Sequence, residues 1–225
     1  MAMGVRLHVW GERACFTRPE LKVERVSYDV ITPLAARGML EAIHWKPAIR
    51  WHVDRIHVLK PIRFQSIRRN EQGANAGAAN AAGKMKRATT GAGGLLVDEN
   101  RPQCATLALI DVAYVIEAHF TMTDKAGPED SAAKHISMFN RRAEQGQCFH
   151  RPCLGTREFD AEFALVPDDA AMPSCELAAD KRDADFGWML HDIDFANGHT
   201  SHFYRAVMAD GVIDVNACLT HGTAR

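Results

Sequence analysis

Long apolar runs are missing from this 225-residue chain. None approaches the ~20 residues that a membrane-spanning helix needs. The opening MAMGVRLHVWGE has no basic start followed by a long apolar core, as a secretory signal would. Cysteine is sparse, and six in 225 residues do not make a disulfide framework. A reduced, cytoplasmic setting with no membrane partner is the expectation. Cofactor motifs are missing as well. The Gly/Ala-rich stretch EQGANAGAANAAGKMKRATTGAGG, residues 71–94, never supplies Gly-Lys-Ser/Thr ahead of a helix, so it is not a phosphate loop. Cys148-Phe-His-Arg-Pro-Cys153 offers two cysteines and a histidine, but no second pair completes a zinc site. Asp180, Asp183 and Asp185 read more simply as a solvated acidic loop than as a magnesium site. The sequence therefore calls for no cofactor and no metal.

What is present is an uneven charge. The formal net charge of −1 hides a basic first part, residues 1–87, with 16 Lys+Arg against 7 Asp+Glu. Residues 88–225 carry 11 against 21, so the two parts stand at +9 and −10. A basic half suits an anionic partner such as nucleic acid, since phosphates reward positive charge whatever the bases. A solvated face, or pairing with the acidic half, is the plainer explanation.

The pattern along the chain is α+β. VRLHVW at 5–10 reads as a strand, and SYDVI at 27–31 as a short extended piece. Thr32-Pro33 starts a helix with Ala36, Met39, Leu40 and Ile43 as its buried stripe. Pro47 stops it near Trp45, which leaves His44 in the last turn. Residues 48–59 alternate as a strand with an irregularity near Asp54. Residues 71–94 have little to bury and form a flexible loop carrying Lys84, Lys86 and Arg87. CATLALIDVAYVIEAHFTM at 104–122 is one long strand or two with a bend. A helix begins near Asp130 or Ser131 and ends at Gly146, and residues 157–166 alternate as a strand. The order β-α-β-β-α-β over residues 1–166 predicts a ferredoxin-like domain. Residues 167–225 predict a small antiparallel β-sheet domain, with Asp210-Gly211 at a hairpin turn.

Three groups of residues carry candidate chemistry. On the second helix, Lys134 and Arg141 are seven apart, as are His135 and Arg142, so each pair shares a face two turns apart. Imidazole moves a proton near neutral pH and lysine stabilises charge on phosphoryl oxygens. An exposed basic helix without chemistry fits the same pattern. Around His44 lie Trp45, Lys46, Arg50 and Trp51, followed by Arg63, Arg68 and Arg69. Aromatics with cations are the grammar of single-stranded nucleic-acid binding, although Trp51 in a strand also reads as core. Arg18, Lys22 and Arg25, after the first strand, are candidates for an RNA path.

FTRPELKVERVSYDVITPLAARGMLEAIHWKPAIRW, then DRIHVLKPIRFQSIRRNE, DVAYVIEAHF, AKHISMFNRRAEQGQCFHRPCLGTREF and the Tyr-Arg-Ala-Val-Met segment at 204–208, closely resemble one family. It is the CRISPR-associated subunit that processes precursor CRISPR RNA in type I-C systems, within the repeat-associated mysterious protein superfamily. The resemblance spans essentially the whole chain. It implies a ferredoxin-like domain plus a small C-terminal β-sheet domain. It implies metal-independent cutting of CRISPR repeat RNA through attack of a ribose 2′-hydroxyl. The subunit is then expected to stay on the 5′ handle of the mature guide, with the backbone and large subunits of the surveillance complex. The catalytic residues it implies are a tyrosine just before Trp-Lys-Pro and a Lys-His pair. The pair matches Lys134-His135, and the tyrosine position holds His44, so that His44 and His135 become candidate acid and base. The alternatives are a non-catalytic RNA-binding cap in the same complex, or a protein that binds or cuts DNA.

Overall fold

The computed structural model describes residues 4–21, 24–70, 103–195, 197–221 and 223–224, with backbone only at 69, 70, 221, 223 and 224. The expected flexible loop at 71–94 lies outside them, as does Lys22. Alternation builds the first element. Val5, Leu7 and Val9 of β1 (Gly4–Ala14) point inward and are buried, while the residues between them are not. The strand runs past the expected Trp10 because its pairing with the long central strand continues to Ala14. β2 (Arg25–Val26) is short, and Ser27 beyond it bridges Thr17.

Helix α1 (Pro33–Ile43) starts as its residues dictate. Thr32 Oγ1 accepts from the Ala35 N–H at 3.2 Å, and Pro33 occupies the first turn, where its missing N–H costs nothing. Ala36, Met39, Leu40 and Ile43 form the buried stripe. β3 (Ile49–Val58) follows, with the anticipated irregularity between Val53 and Arg55. β4 (Phe64–Asn70) is a strand that the sequence reading left unassigned. Its exposed, arginine-rich alternation hides it, and its order comes from pairing with the central strand.

That central strand is β5 (Gln103–Met122), 20 residues long. It changes partners midway: Gln103–Leu109 pair with β4, and Tyr114–Met122 with β3. The break between them falls at Asp111, whose φ of 52° is left-handed. Its carboxylate is held by Lys60 at 2.5 Å and Arg63 at 2.7 Å, and Lys60 above all keeps it below the usual carboxylate range. Helix α2 (Ala132–Glu144) is capped by Ser131 Oγ on the Lys134 N–H at 3.3 Å. It is followed by Gly146 at a φ of 64°, which favours glycine.

β6 (Glu162–Leu165) is shorter than the expected 157–166. Residues before it instead dock on the end of β1, where the Cys15 N–H donates to Leu154 O at 2.9 Å. β7 (Ala184–Asp194) and β8 (Thr200–Ala209) are antiparallel. Asp210 and Gly211, at φ 47° and 78°, make the anticipated tight turn into β9 (Val212–Asp214). Helix α3 (Val215–His221) and β10 (Thr223–Ala224) complete the described chain. The sheet runs β10-β8-β9-β3-β5-β1-β6, with β2 and β4 on β5 and β7 on β8. Every pairing in it is antiparallel except β2 with β5. The result is a mixed α and β fold whose two longer helices bury Met39, Ile43 and Phe139 in the same core as Trp51 and Phe120. No helix among the described residues is long and apolar enough to cross a membrane.

Candidate active site

His44 follows the last residue of α1, one position beyond the last helical turn in which the sequence reading placed it. It is the C-cap, extended at φ −148° and ψ 115°. Its N–H still closes the helix on Leu40 O at 2.9 Å, while its carbonyl swings out to accept the Trp51 indole N–H at 2.9 Å. The ring lands in the core and is fully buried. His135, one turn into α2, is buried as well. Its direction follows from the helix: it shares a face with Phe139 and Ala143, which pack inward.

The two imidazoles meet. His44 Nε2 lies 3.1 Å from His135 Nδ1 across 91 residues of sequence, with ring centroids 5.3 Å apart. One nitrogen of the contact must carry the proton and the other a lone pair. If His44 Nε2 donates, its Nδ1 is left as a base. If His135 Nδ1 donates, His44 Nδ1 carries a proton to give. That Nδ1 is buried and has no hydrogen-bond partner among the described residues. The pair thus holds either a proton acceptor or a proton donor at the same atom.

The surroundings set the charge. Burial first, then the positive neighbours Arg142, His135 and Lys46, push the His44 pKa down to about 4, so this imidazole is neutral at about pH 7. His135 Nε2 lies 3.3 Å from Asp130 Oδ1, near enough for attraction, although the ring nitrogen is not aligned for a hydrogen bond. The Gly127 N–H, with help from His135 and Lys134, keeps the Asp130 carboxyl below its usual range. Aromatics close the other side. Phe120 meets the His135 ring edge-on at 6.2 Å, and Trp51 contacts both Phe120 and Phe139.

The remaining sequence candidates divide. Arg142 joins the site, donating to Ile43 O at 2.8 Å. Arg141 is exposed, and so is Lys134, whose Nζ donates to Glu129 O at 3.2 Å rather than to either histidine. The two seven-residue pairs fall on different faces, His135 with Arg142 inward and Lys134 with Arg141 outward, a division that the spacing alone did not give. Trp45 is 54% exposed and Lys46 is exposed beside it. Arg68 is exposed on β4, and the Arg69 side chain is outside what is described. Arg18 lies over the Tyr28 ring at 4.5 Å and bonds to Asp29 at 3.1 Å, with part of its side chain still exposed. Arg25 pairs with Glu158 at 3.0 Å. Asp130, and Trp51 as the holder of the His44 carbonyl, were missed as site residues. Asp130 read as a helix start, and Trp51 either as part of the aromatic cluster or as core. Among the described residues no group of three or more His, Cys, Asp or Glu side chains is placed to hold a metal ion.

Comparison with known proteins extends this geometry. The family profile described as CRISPR-associated protein (Cas5) matches residues 4–216. A protein of Mannheimia succiniciproducens called "CRISPR pre-crRNA endoribonuclease Cas5d" is 58% identical over 215 residues, covering 96% of each chain. A protein of Thermus thermophilus with the same name is 43% identical over 191 residues, 85% of this chain and 73% of the relative. A solved structure described as a CRISPR-associated protein shares the fold at a TM-score of 0.71 and 23% identity, covering 100% of this chain and 97% of its own. With a profile that spans nearly all of its length and a relative matched almost end to end, the chain belongs to the CRISPR-associated Cas5 family.

Proposed function

We propose that this chain is an endoribonuclease that cuts CRISPR repeat RNA by attack of a ribose 2′-hydroxyl, without a metal. The observation that carries the proposal is the buried contact of His44 with His135. The names of the two relatives support the reaction class and the substrate. In the step itself the 2′-oxygen bonds to the adjacent phosphorus and the bond from phosphorus to the 5′-oxygen breaks. One imidazole takes the 2′-hydroxyl proton and the other gives a proton to the departing 5′-oxygen. The products are a 2′,3′-cyclic phosphate and a 5′-hydroxyl. Lys134, exposed at the rim, supplies positive charge for the phosphoryl oxygens. Both rings are shielded in the free protein, so their cover must shift when RNA enters.

The same reading extends outward. The strand order β6-β1-β5-β3, with α1 and α2 between strands, supports a ferredoxin-like unit over residues 1–166, followed by a smaller β unit over 167–225. After cutting, the subunit holds the 5′ handle and joins the backbone and large subunits of a type I-C surveillance complex in the cytoplasm. Trp45, Lys46, Arg68, Arg69, Arg141 and Arg142 form its RNA surface, with Arg18, Lys22 and Arg25 as further contacts. The test is one incubation of the pure protein with end-labelled repeat RNA in EDTA. Cutting is expected, with a cyclic phosphate end, and a 2′-deoxy nucleotide at the cut site should abolish it. Strict dependence on magnesium would overturn the mechanism.

A second reading is favoured by the burial of both imidazoles: the pair pins α1 to α2, and the chain holds RNA without cutting it. Tight binding with no products in the same incubation would establish that reading. Competition by DNA of the same sequence, equal to that of RNA, would point to a DNA-binding protein instead.

A further inference from the structure

The Cys148–Cys153 segment has a further feature. Phe149 is 86% exposed, more than any other large hydrophobic side chain among the described residues. Its backbone is nevertheless fixed. The Phe149 N–H donates to Ala42 O at 2.8 Å and the His150 N–H reaches the same carbonyl at 3.4 Å. Ala42 lies in the last turn of α1, two residues before His44. This anchor is made by main-chain atoms, so any residue with an N–H would provide it. The benzyl group meets the neighbouring His150 ring edge-on at 5.9 Å and is otherwise largely in water. Trp45, the residue after His44, is also left largely exposed.

We propose that Phe149 and Trp45 are stacking platforms for unpaired RNA bases on either side of the phosphate that the histidine pair attacks. The inference rests on the reading of the chain as an RNA-cutting protein and adds a positioning role that the histidines do not supply. Each aromatic face accepts any base, because every base has a π-face. Holding two bases splayed on rings at one helix end stretches the linkage between them into reach of that end. The charge is right for this occupant. Lys46 follows Trp45, and Arg141 and Arg142 stand in the last turn of α2, where Arg142 bonds to Ile43 O. Exposed aromatic rings with cations nearby in the chain are the composition that single-stranded nucleic acid calls for.

The experiment measures the affinity of the full-length chain for 2′-deoxy-substituted repeat RNA, alongside single-turnover cutting of the native RNA. The chains compared are wild type, Phe149→Ala, Phe149→Leu and Phe149→Tyr. Alanine and leucine should weaken binding about five- to fiftyfold, and tyrosine should restore it to within about twofold. Melting temperatures should be unchanged, because the side chain is in water. Binding by Phe149→Ala within about twofold of wild type overturns the proposal, and so does full binding by Phe149→Leu, which would indicate plain apolar contact. A wild-type chain that binds the RNA but never cuts it sinks the cleavage reading while the binding comparison still decides stacking.

Discussion

His44 is a residue whose position explains its chemistry. An imidazole fully out of water resists protonation, and the positive groups around it add to that resistance. Its folded pKa of about 4 lies below the reference of about 6.5. Between those two values the unfolded chain binds a proton that the folded chain refuses. The resulting stability is therefore complete above about pH 6.5 and is lost as the pH falls toward about 4, on the order of 3 kcal/mol for this one group. Urea unfolding of wild type and His44→Phe across this window should show the wild type losing more stability on acidification. Parallel pH curves would mean that His44 is not buried neutral. Asp130 acts on the pair from the far side, through the charge that it sets against His135 Nε2. Asp130→Asn is expected to move the pH profile of cutting while leaving the rate at its optimum within about tenfold of wild type. A rate that falls as far as in His135→Ala would instead give Asp130 a direct part in the chemistry.

At the scale of elements, the site depends on how α1 ends. The Leu40, Ala42, Ile43 and His44 carbonyls are each taken, by the His44 N–H, the Phe149 N–H, Arg142 and the Trp51 indole. Trp51→Phe removes the last of these and strands a buried carbonyl. It should cost about 1–3 kcal/mol in urea unfolding and slow cutting without weakening RNA binding. The loop before β6 is pinned just as firmly. Gly155 stands at a φ of 90°, and a Cβ there would sit 2.0 Å from the Cys15 carbonyl oxygen. Backbone cannot step aside cheaply, so Gly155→Ala should destabilise by more than about 3 kcal/mol, read as a fall in melting temperature or loss of soluble protein. Much of this level was legible beforehand. Thr32-Pro33, Ser131 and Asp210-Gly211 signal their turns through local chemistry, and the alternation in β3 and the long apolar-rich run of β5 reveal strands directly. β4 was not legible, because its order comes from pairing with β5 rather than from an apolar face of its own. The histidines were named from the chain, but their contact is a long-range product of helix packing. For the same reason Asp130 and Phe149 carried no local signal: one looks like a cap and the other like part of a cysteine-bearing turn.

At the scale of the whole molecule, a sheet of ten strands among the described residues ties parts that are distant in sequence, and charge pairs reinforce the ties. Arg37 of α1 makes a bidentate contact with Asp192 of β7 at 2.6 and 2.7 Å. Burial alone would raise the Asp192 carboxyl, but Arg37 outweighs it and holds the pKa low. The basic first part of the chain remains suited to a polyanion. If about four phosphates are contacted, RNA affinity should fall roughly fiftyfold between 50 and 200 mM salt, and a flat response would remove the phosphate contacts from the picture. The most direct measurement is single-turnover cutting of cognate repeat RNA in EDTA by wild type, His44→Phe and His135→Ala. Both variants should bind the RNA yet cut about 10²- to 10⁴-fold more slowly. Wild-type cutting by either one would contradict the proposal that the buried histidine pair moves the protons.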